Sequence, residues 1–146
     1  MTDTVAYSFV IPGPPRGKGR PQFARRGKFV TTYTDDKTAS YENLVALACR
    51  EEMRGRPPLD GPVWLQVVAT FAIPASASKV KKLAMMTGKV GATKKPDLDK
   101  LTRAVGDAVK SAGVIGDDSC IIRSSQTKRL AEIGEAPGLK LRLEAA

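Results

Sequence analysis

The stretch "PVWLQVVATFAIP", residues 62–74, constrains the fold more than any other segment. Val63, Leu65, Val67, Ala69, Phe71 and Ile73 fall on one face at a period of two, which is a strand with one apolar side. The opposite side is mixed, with Trp64, Gln66, Val68, Thr70 and Ala72. Such a strand belongs inside a sheet and is at least partly covered on both sides. Whatever else the chain does, it must supply neighbouring strands and helices to bury this one.

The remaining segments fit that demand. "VAYSFVI" at 5–11 reads as a strand ended by Pro12. Residues 13–30 are rich in Gly, Pro and basic side chains, and read as a flexible basic loop that orders on binding. "KFVTTYT" holds a short strand, and Thr38–Met53 has helical spacing, with Thr38 or Ser40 as cap and Gly55 and Pro57 as stop. Residues 75–86 read as a short basic helix and 87–95 as a mobile loop. Leu98, Leu101, Val105, Ala108 and Ala112 then step by three and four, the stripe of one amphipathic helix between Pro96 and Gly113. "CIIRSSQTKRLAEI" and "LKLRLEA" read as closing strands. The expected class is α+β: a small mixed β-sheet packed against helices in a single domain over 1–146.

Composition narrows the chemistry. The chain contains no histidine, which excludes a His general base, a Ser-His-Asp triad and a His-ligated zinc. Cys49 and Cys120 make neither a disulfide framework nor a zinc site, and read as reduced thiols. No apolar run approaches the ~18 residues of a membrane span, and "MTDTVAYSFV" lacks a basic signal region, so the expectation is a cytoplasmic protein with no membrane partner.

With 24 Lys and Arg against 15 Asp and Glu, the formal net charge is +9, and the excess is clustered. Gly13–Val30 carries Arg16, Lys18, Arg20, Arg25, Arg26 and Lys28 with no acid, and Lys79–Lys95 carries six lysines, again with no acid. Two acid-free basic segments point to a polyanion partner.

Against that background, "KKPDLDKLTRAVGDAVKSAGVIGDDSC" at 94–120 holds five aspartates: Asp97, Asp99, Asp107, Asp117 and Asp118. Asp97 stands at a helix N-cap and Asp99 in the first turn, where capping and the macrodipole alone favour Asp. Two carboxylates instead of one, and a second pair after the helix, exceed what capping needs. A helix of about fifteen residues is ~22 Å long, so Asp118 meets the first two only if 113–117 returns towards the helix start. If three carboxylates meet, a hard divalent cation, Mg²⁺ or Mn²⁺, relieves their repulsion and acts on a phosphodiester beside it. Asp107 is spaced to pair with Arg103 at i+4, and Asp117 to shape the following turn.

The same stretch, Pro-Asp-x-Asp, an amphipathic helix with a mid-helix Asp-Ala, then Gly-Val and Asp-Asp, resembles the signature of the RusA family of crossover-junction endodeoxyribonucleases. The opening "FVIPGPPRGKGRPQF…YT" is similar to that family's start, so the likeness covers about half the chain. The resemblance implies a RusA-like α+β fold and a homodimeric, Mg²⁺-dependent nuclease that resolves four-way (Holliday) junction DNA by paired nicks in recombination and repair, bacterial or phage-encoded. It implies Asp97, Asp99 and Asp118 as metal-binding catalytic carboxylates, with the dimer's two active sites facing the junction, and Arg103 as a further catalytic residue. The DNA-binding set is Arg16, Lys18, Arg20, Arg25, Arg26, Lys94, Lys95 and Lys100. Two positions depart from the pattern: Lys100 replaces an Asn, and Arg103 replaces a functional Lys. Arginine keeps the charge but barely deprotonates, so Arg103 suits a phosphate clamp and not a proton donor. The alternative reading is a non-catalytic basic DNA-binding module in which the aspartates are helix caps. An RNA-binding role fits less well, because aromatics are only 5% of the chain.

Overall fold

The computed structural model describes residues 5–17, 22–26, 29–33, 36–87, 91–93, 95–132 and 134–146. The elements run β1 (Ala6–Pro12), β2 (Gln22–Arg26), β3 (Phe29–Tyr33), α1 (Asp36–Met53), β4 (Val63–Phe71), α2 (Lys79–Met86), α3 (Leu98–Ser111), a 3₁₀ turn (Asp118–Cys120), β5 (Ile121–Leu130) and β6 (Gly138–Ala145).

Four strands form one sheet in the order β1-β6-β4-β5, so β4 is interior, as its two-faced pattern requires. β6 runs antiparallel to both β1 and β4, while β4 and β5 are parallel. The parallel pair is joined by the crossover that contains α2 and α3, which is how a chain links parallel neighbours. The sheet is therefore mixed and the fold α+β.

One face carries the core. Phe9 and Ile11 of β1, Val63, Leu65, Val67 and Ala69 of β4, and Leu139, Leu141 and Leu143 of β6 are all buried. Tyr41, Val45 and Cys49 of α1, and Leu101, Val105, Ala108 and Val109 of α3, pack onto them. The α3 stripe read from sequence is thus the packing face, shifted slightly: Leu98 is exposed, and Ala104 and Val109 join the buried side. Burial pushes the Cys49 thiol up to about 12, so this cysteine is an inert core residue. On the other face of β4, Trp64, Gln66 and Val68 are half-covered by neighbours within the sheet, and the Arg123 guanidinium lies 4.1 Å from the Trp64 ring centroid.

The basic segment differs from the single loop expected from its composition. Within it β2 pairs antiparallel with β3, Gln22 opposite Tyr33 and Arg26 opposite Phe29. Gly and Pro bracket this stretch, but "QFARR" and "FVTTY" are free of both and rich enough in aromatic and β-branched residues to pair.

Candidate metal-dependent nuclease site

α3 begins at Asp97, whose extended backbone makes it the N-cap, yet its carboxylate makes no capping hydrogen bond. It is 59% exposed and turns to Lys100, with Nζ 3.7 Å from Oδ2. A cap residue normally spends its side chain on the free N–H groups of the first turn; Asp97 leaves its carboxylate available. Asp99 lies in the first turn, also exposed. Two hard oxygen donors therefore sit at a helix N-terminus.

The basic segment reaches this point through Gly17. A Cβ built on Gly17 would lie 2.8 Å from Pro96 Cβ, 2.9 Å from Lys100 Cβ and 3.3 Å from the Leu101 backbone nitrogen. Only glycine allows the segment to lie flat on the head of α3. Beside it Pro15 is buried and Arg16 projects outwards. Behind it lies the buried Tyr41 phenol, raised above its ordinary value by desolvation, an effect partly offset by the Arg16 backbone N–H. Lys100 thus faces Asp97, Arg16 precedes the glycine packed on the head of α3, and the exposed Lys95 and Arg103 flank the two aspartates along the chain. Sequence reading missed Gly17, although its place between Arg16 and Lys18 was the available signal.

Among the DNA-binding candidates, Lys18, Arg20 and Lys94 lie outside the described residues, and Arg25 and Arg26 lie on β2.

Asp118 is at the other end of α3. The helix closes with a Gly113 in the left-handed region, φ 76°, and with Val114 N–H donating to Val109 O at 3.0 Å and Gly113 N–H to Lys110 O at 3.1 Å. The chain is then tied to the segment before β4, through Leu59 N–H to Val114 O at 2.8 Å. Asp117 accepts from Lys110 Nζ at 2.8 Å and from the Ser119 N–H and hydroxyl, which fixes the turn into the 3₁₀ segment that Asp118 begins. Hydrogen bonding to Lys110 and Ser119 holds the Asp117 carboxyl well below the usual carboxylate range, and Asp117 in turn raises Lys110. Asp117 is the turn-shaping residue its position suggested. A fourteen-residue helix spans ~21 Å, so Asp97 and Asp99 occupy one end of it and Asp118 the other. The 113–117 segment does not return to the helix start. Among the described residues no group of three or more Asp, Glu or Cys is gathered closely enough to hold a metal ion. The donor chemistry suits a hard cation, and one chain presents it in two parts.

Asp99, Arg103, Asp107 and Lys110 lie on one face of α3, at i, i+4, i+8 and i+11, opposite the buried stripe. The polar face therefore carries charges that alternate in sign along the whole helix.

A sequence model of the family described as "Endodeoxyribonuclease RusA" matches residues 12–144. An uncharacterized protein, YqaN of Bacillus subtilis (strain 168), is 29% identical over 126 residues, covering 85% of this chain and 87% of that protein. No helix among the described residues is long and apolar enough to cross a membrane. A family match across both the basic opening and the aspartate-bearing helix shows that this chain belongs to the RusA family of endodeoxyribonucleases.

Proposed function

We propose that the protein is a divalent-metal-dependent, structure-selective endonuclease that cuts four-way DNA junctions by paired nicks as a homodimer, in recombination and repair. The observation that carries this reading is the uncapped Asp97 carboxylate beside Asp99, at the point where Gly17 brings the basic segment onto α3. The non-catalytic alternative has the aspartates serve as helix caps, and the absence of a capping hydrogen bond to the Asp97 side chain favours the first reading.

Asp97 and Asp99 would hold a Mg²⁺ or Mn²⁺ ion, which, when bound, lowers the pKa of water and neutralises charge on the phosphate under attack. Arg16, Lys95 and Lys100 bind and orient the strand by its phosphates. Arg103, with its planar fork of donors, clamps the scissile phosphate without giving up a proton.

The third carboxylate comes from a second copy. The layout of α3 supports this: with Asp97 and Asp99 at one end and Asp118 at the other, two copies can set their α3 helices side by side and antiparallel. That pairing brings Asp118 of a second copy to the Asp97 end. β5, ten residues long and paired only with β4 among the described strands, leaves an open sheet edge on which two copies can also meet.

A time course on a synthetic four-way junction, with Mg²⁺ and with EDTA, tests the activity: symmetrical nicks in Mg²⁺ alone are expected, and binding without nicks in either Mg²⁺ or Mn²⁺ rejects it. Mixing Asp99→Asn chains with Asp118→Asn chains tests the shared site. Mixed dimers hold one intact site if the carboxylates come from different copies, so cutting returns; if all three serve from one chain, the mixture stays inactive.

A further inference from the structure

A cavity of about 240 Å³ lies at the carboxyl ends of β4 and β5, between Met85 of α2 and the residues Gly91, Ala92, Thr93 and Lys95. Its walls are Phe71, Pro74, Met85 and Leu130, with Ala92 and Lys95 also in the lining. Lys95 of this lining stands two residues before Asp97 in the chain. Parallel strands of open α/β sheets commonly receive ligands outside their carboxyl ends. Neither the Asp97 and Asp99 carboxylates nor the basic segment uses this space.

The chemistry of the cavity is two-sided. Inside, it is an apolar recess with an aromatic wall, and a hole of about 150 Å³ already admits a benzene ring. Outside, basic side chains outnumber acids: Lys95 is in the rim, Lys128 Nζ lies 5.7 Å from the Phe71 ring centroid, and the adjoining groove carries Lys128 and Arg129 against Glu132. Among the described residues no carboxylate lines it, and α2 above it carries Lys79, Lys81 and Lys82 with no acid. A ligand that matches is an uncharged flat ring on an anionic chain. An apolar peptide side chain would fill the recess but would have no use for the cationic rim.

We propose that this cavity seats one unstacked nucleobase of the DNA strand that passes Asp97 and Asp99, while the lysines around it hold the neighbouring phosphates. The proposal rests on the DNA-cutting reading above and adds a place where the enzyme grips a single nucleotide. Aromatic stacking tolerates any base, whereas the size of the recess discriminates between large and small rings. The same element would favour junctions over duplex DNA, because bases at a branch point are already partly unstacked and cost less to extrude.

The test uses wild-type protein in EDTA, with four-way junctions carrying 2-aminopurine at successive positions around the branch. One position is expected to brighten about threefold or more on binding, as an unstacked base does, and to be shielded from acrylamide quenching as a base in a pocket is. If no position brightens, or the bright position is quenched as freely as in single-stranded DNA, the base is not seated and the proposal fails. Ala92→Trp, which fills the cavity, is expected to abolish the shielded signal while junction affinity falls by no more than about 150-fold, the upper range of one lost stacking contact; a signal like that of wild type overturns the assignment. No cutting is involved, so an absence of nicks in Mg²⁺ bears on the nuclease reading, and an absence of a shielded base bears on this one.

Discussion

At the scale of single residues, the decisive feature is what Asp97 does not do. Its position as N-cap was legible from Pro96 and the apolar stripe of the helix, but whether its oxygens serve the helix or face outwards depends on a side-chain rotamer that sequence does not specify. Because they face outwards, Asp99→Asn and Asp97→Asn are expected to lower junction cleavage by at least about 100-fold and to leave junction affinity within about threefold. Gel-shift and single-turnover cleavage assays on the same preparations separate the two quantities. Gly17 gives a complementary prediction. Gly17→Val forces the basic segment off Pro96 and Lys100 and should weaken junction binding about tenfold, roughly 1.4 kcal/mol, with little change in the melting temperature; binding at wild-type strength would mean that the close approach is incidental.

At the scale of elements, α3 is the part most fully written in the sequence. Its apolar period, its start at Pro96 and its stop at Gly113 all correspond to the structure, because a helix is specified by spacing within one segment. The path of the chain beyond α3 was not legible. The course of 113–117 is decided by hydrogen bonds to Leu59 and by the Lys110–Asp117 pair, contacts that no local pattern announces. For the same reason the β2–β3 pairing was hidden inside a segment whose composition says loop. The Lys110–Asp117 pair predicts a pH dependence. The folded-state carboxyl of Asp117 is depressed below its unfolded value of about 3.9, so its contribution is complete above that pH and is lost as the pH falls towards the folded value. Lys110→Met should therefore be less stable than wild type at neutral pH, with the difference shrinking steadily below about pH 4. Thermal melts between acidic and neutral pH check this; a difference that grows with acidity would contradict the assignment. Both groups are exposed, so the effect is small.

At the scale of the whole molecule, the fold places a one-sided core behind a strongly basic surface. The core was readable as alternation in β1, β4 and β6, and the sheet order was not, since it arises from a crossover and from long-range pairing. Leu101, fully buried between α3 and the sheet, ties the site to that core. Leu101→Ala is expected to cost ~2–5 kcal/mol, measured by denaturant unfolding, and to reduce cleavage only as far as it reduces the folded population. Arg16, Lys95, Lys100 and Arg103 predict junction affinity that falls steeply with salt. Each phosphate contact adds about 0.9 to the slope of log K against log salt, so replacing Arg16 and Lys95 by Ala together should flatten that slope by nearly two.

The antiparallel β1–β6 pairing sets Ala6 directly across from Glu144, and Ala145 lies next to Val63 at the start of β4. The start of β1 and the end of β6 therefore lie at one corner of the sheet, on the side of the molecule where α3 finishes. A bulky fusion beyond either residue would crowd that corner, whereas a short peptide joining residue 144 to residue 6 would span a gap of one strand spacing, about 5 Å. With residues 6 and 144 joined in this way, the chain can be opened in the segment between β5 and β6 and a label or surface attachment placed there, away from the corner they share.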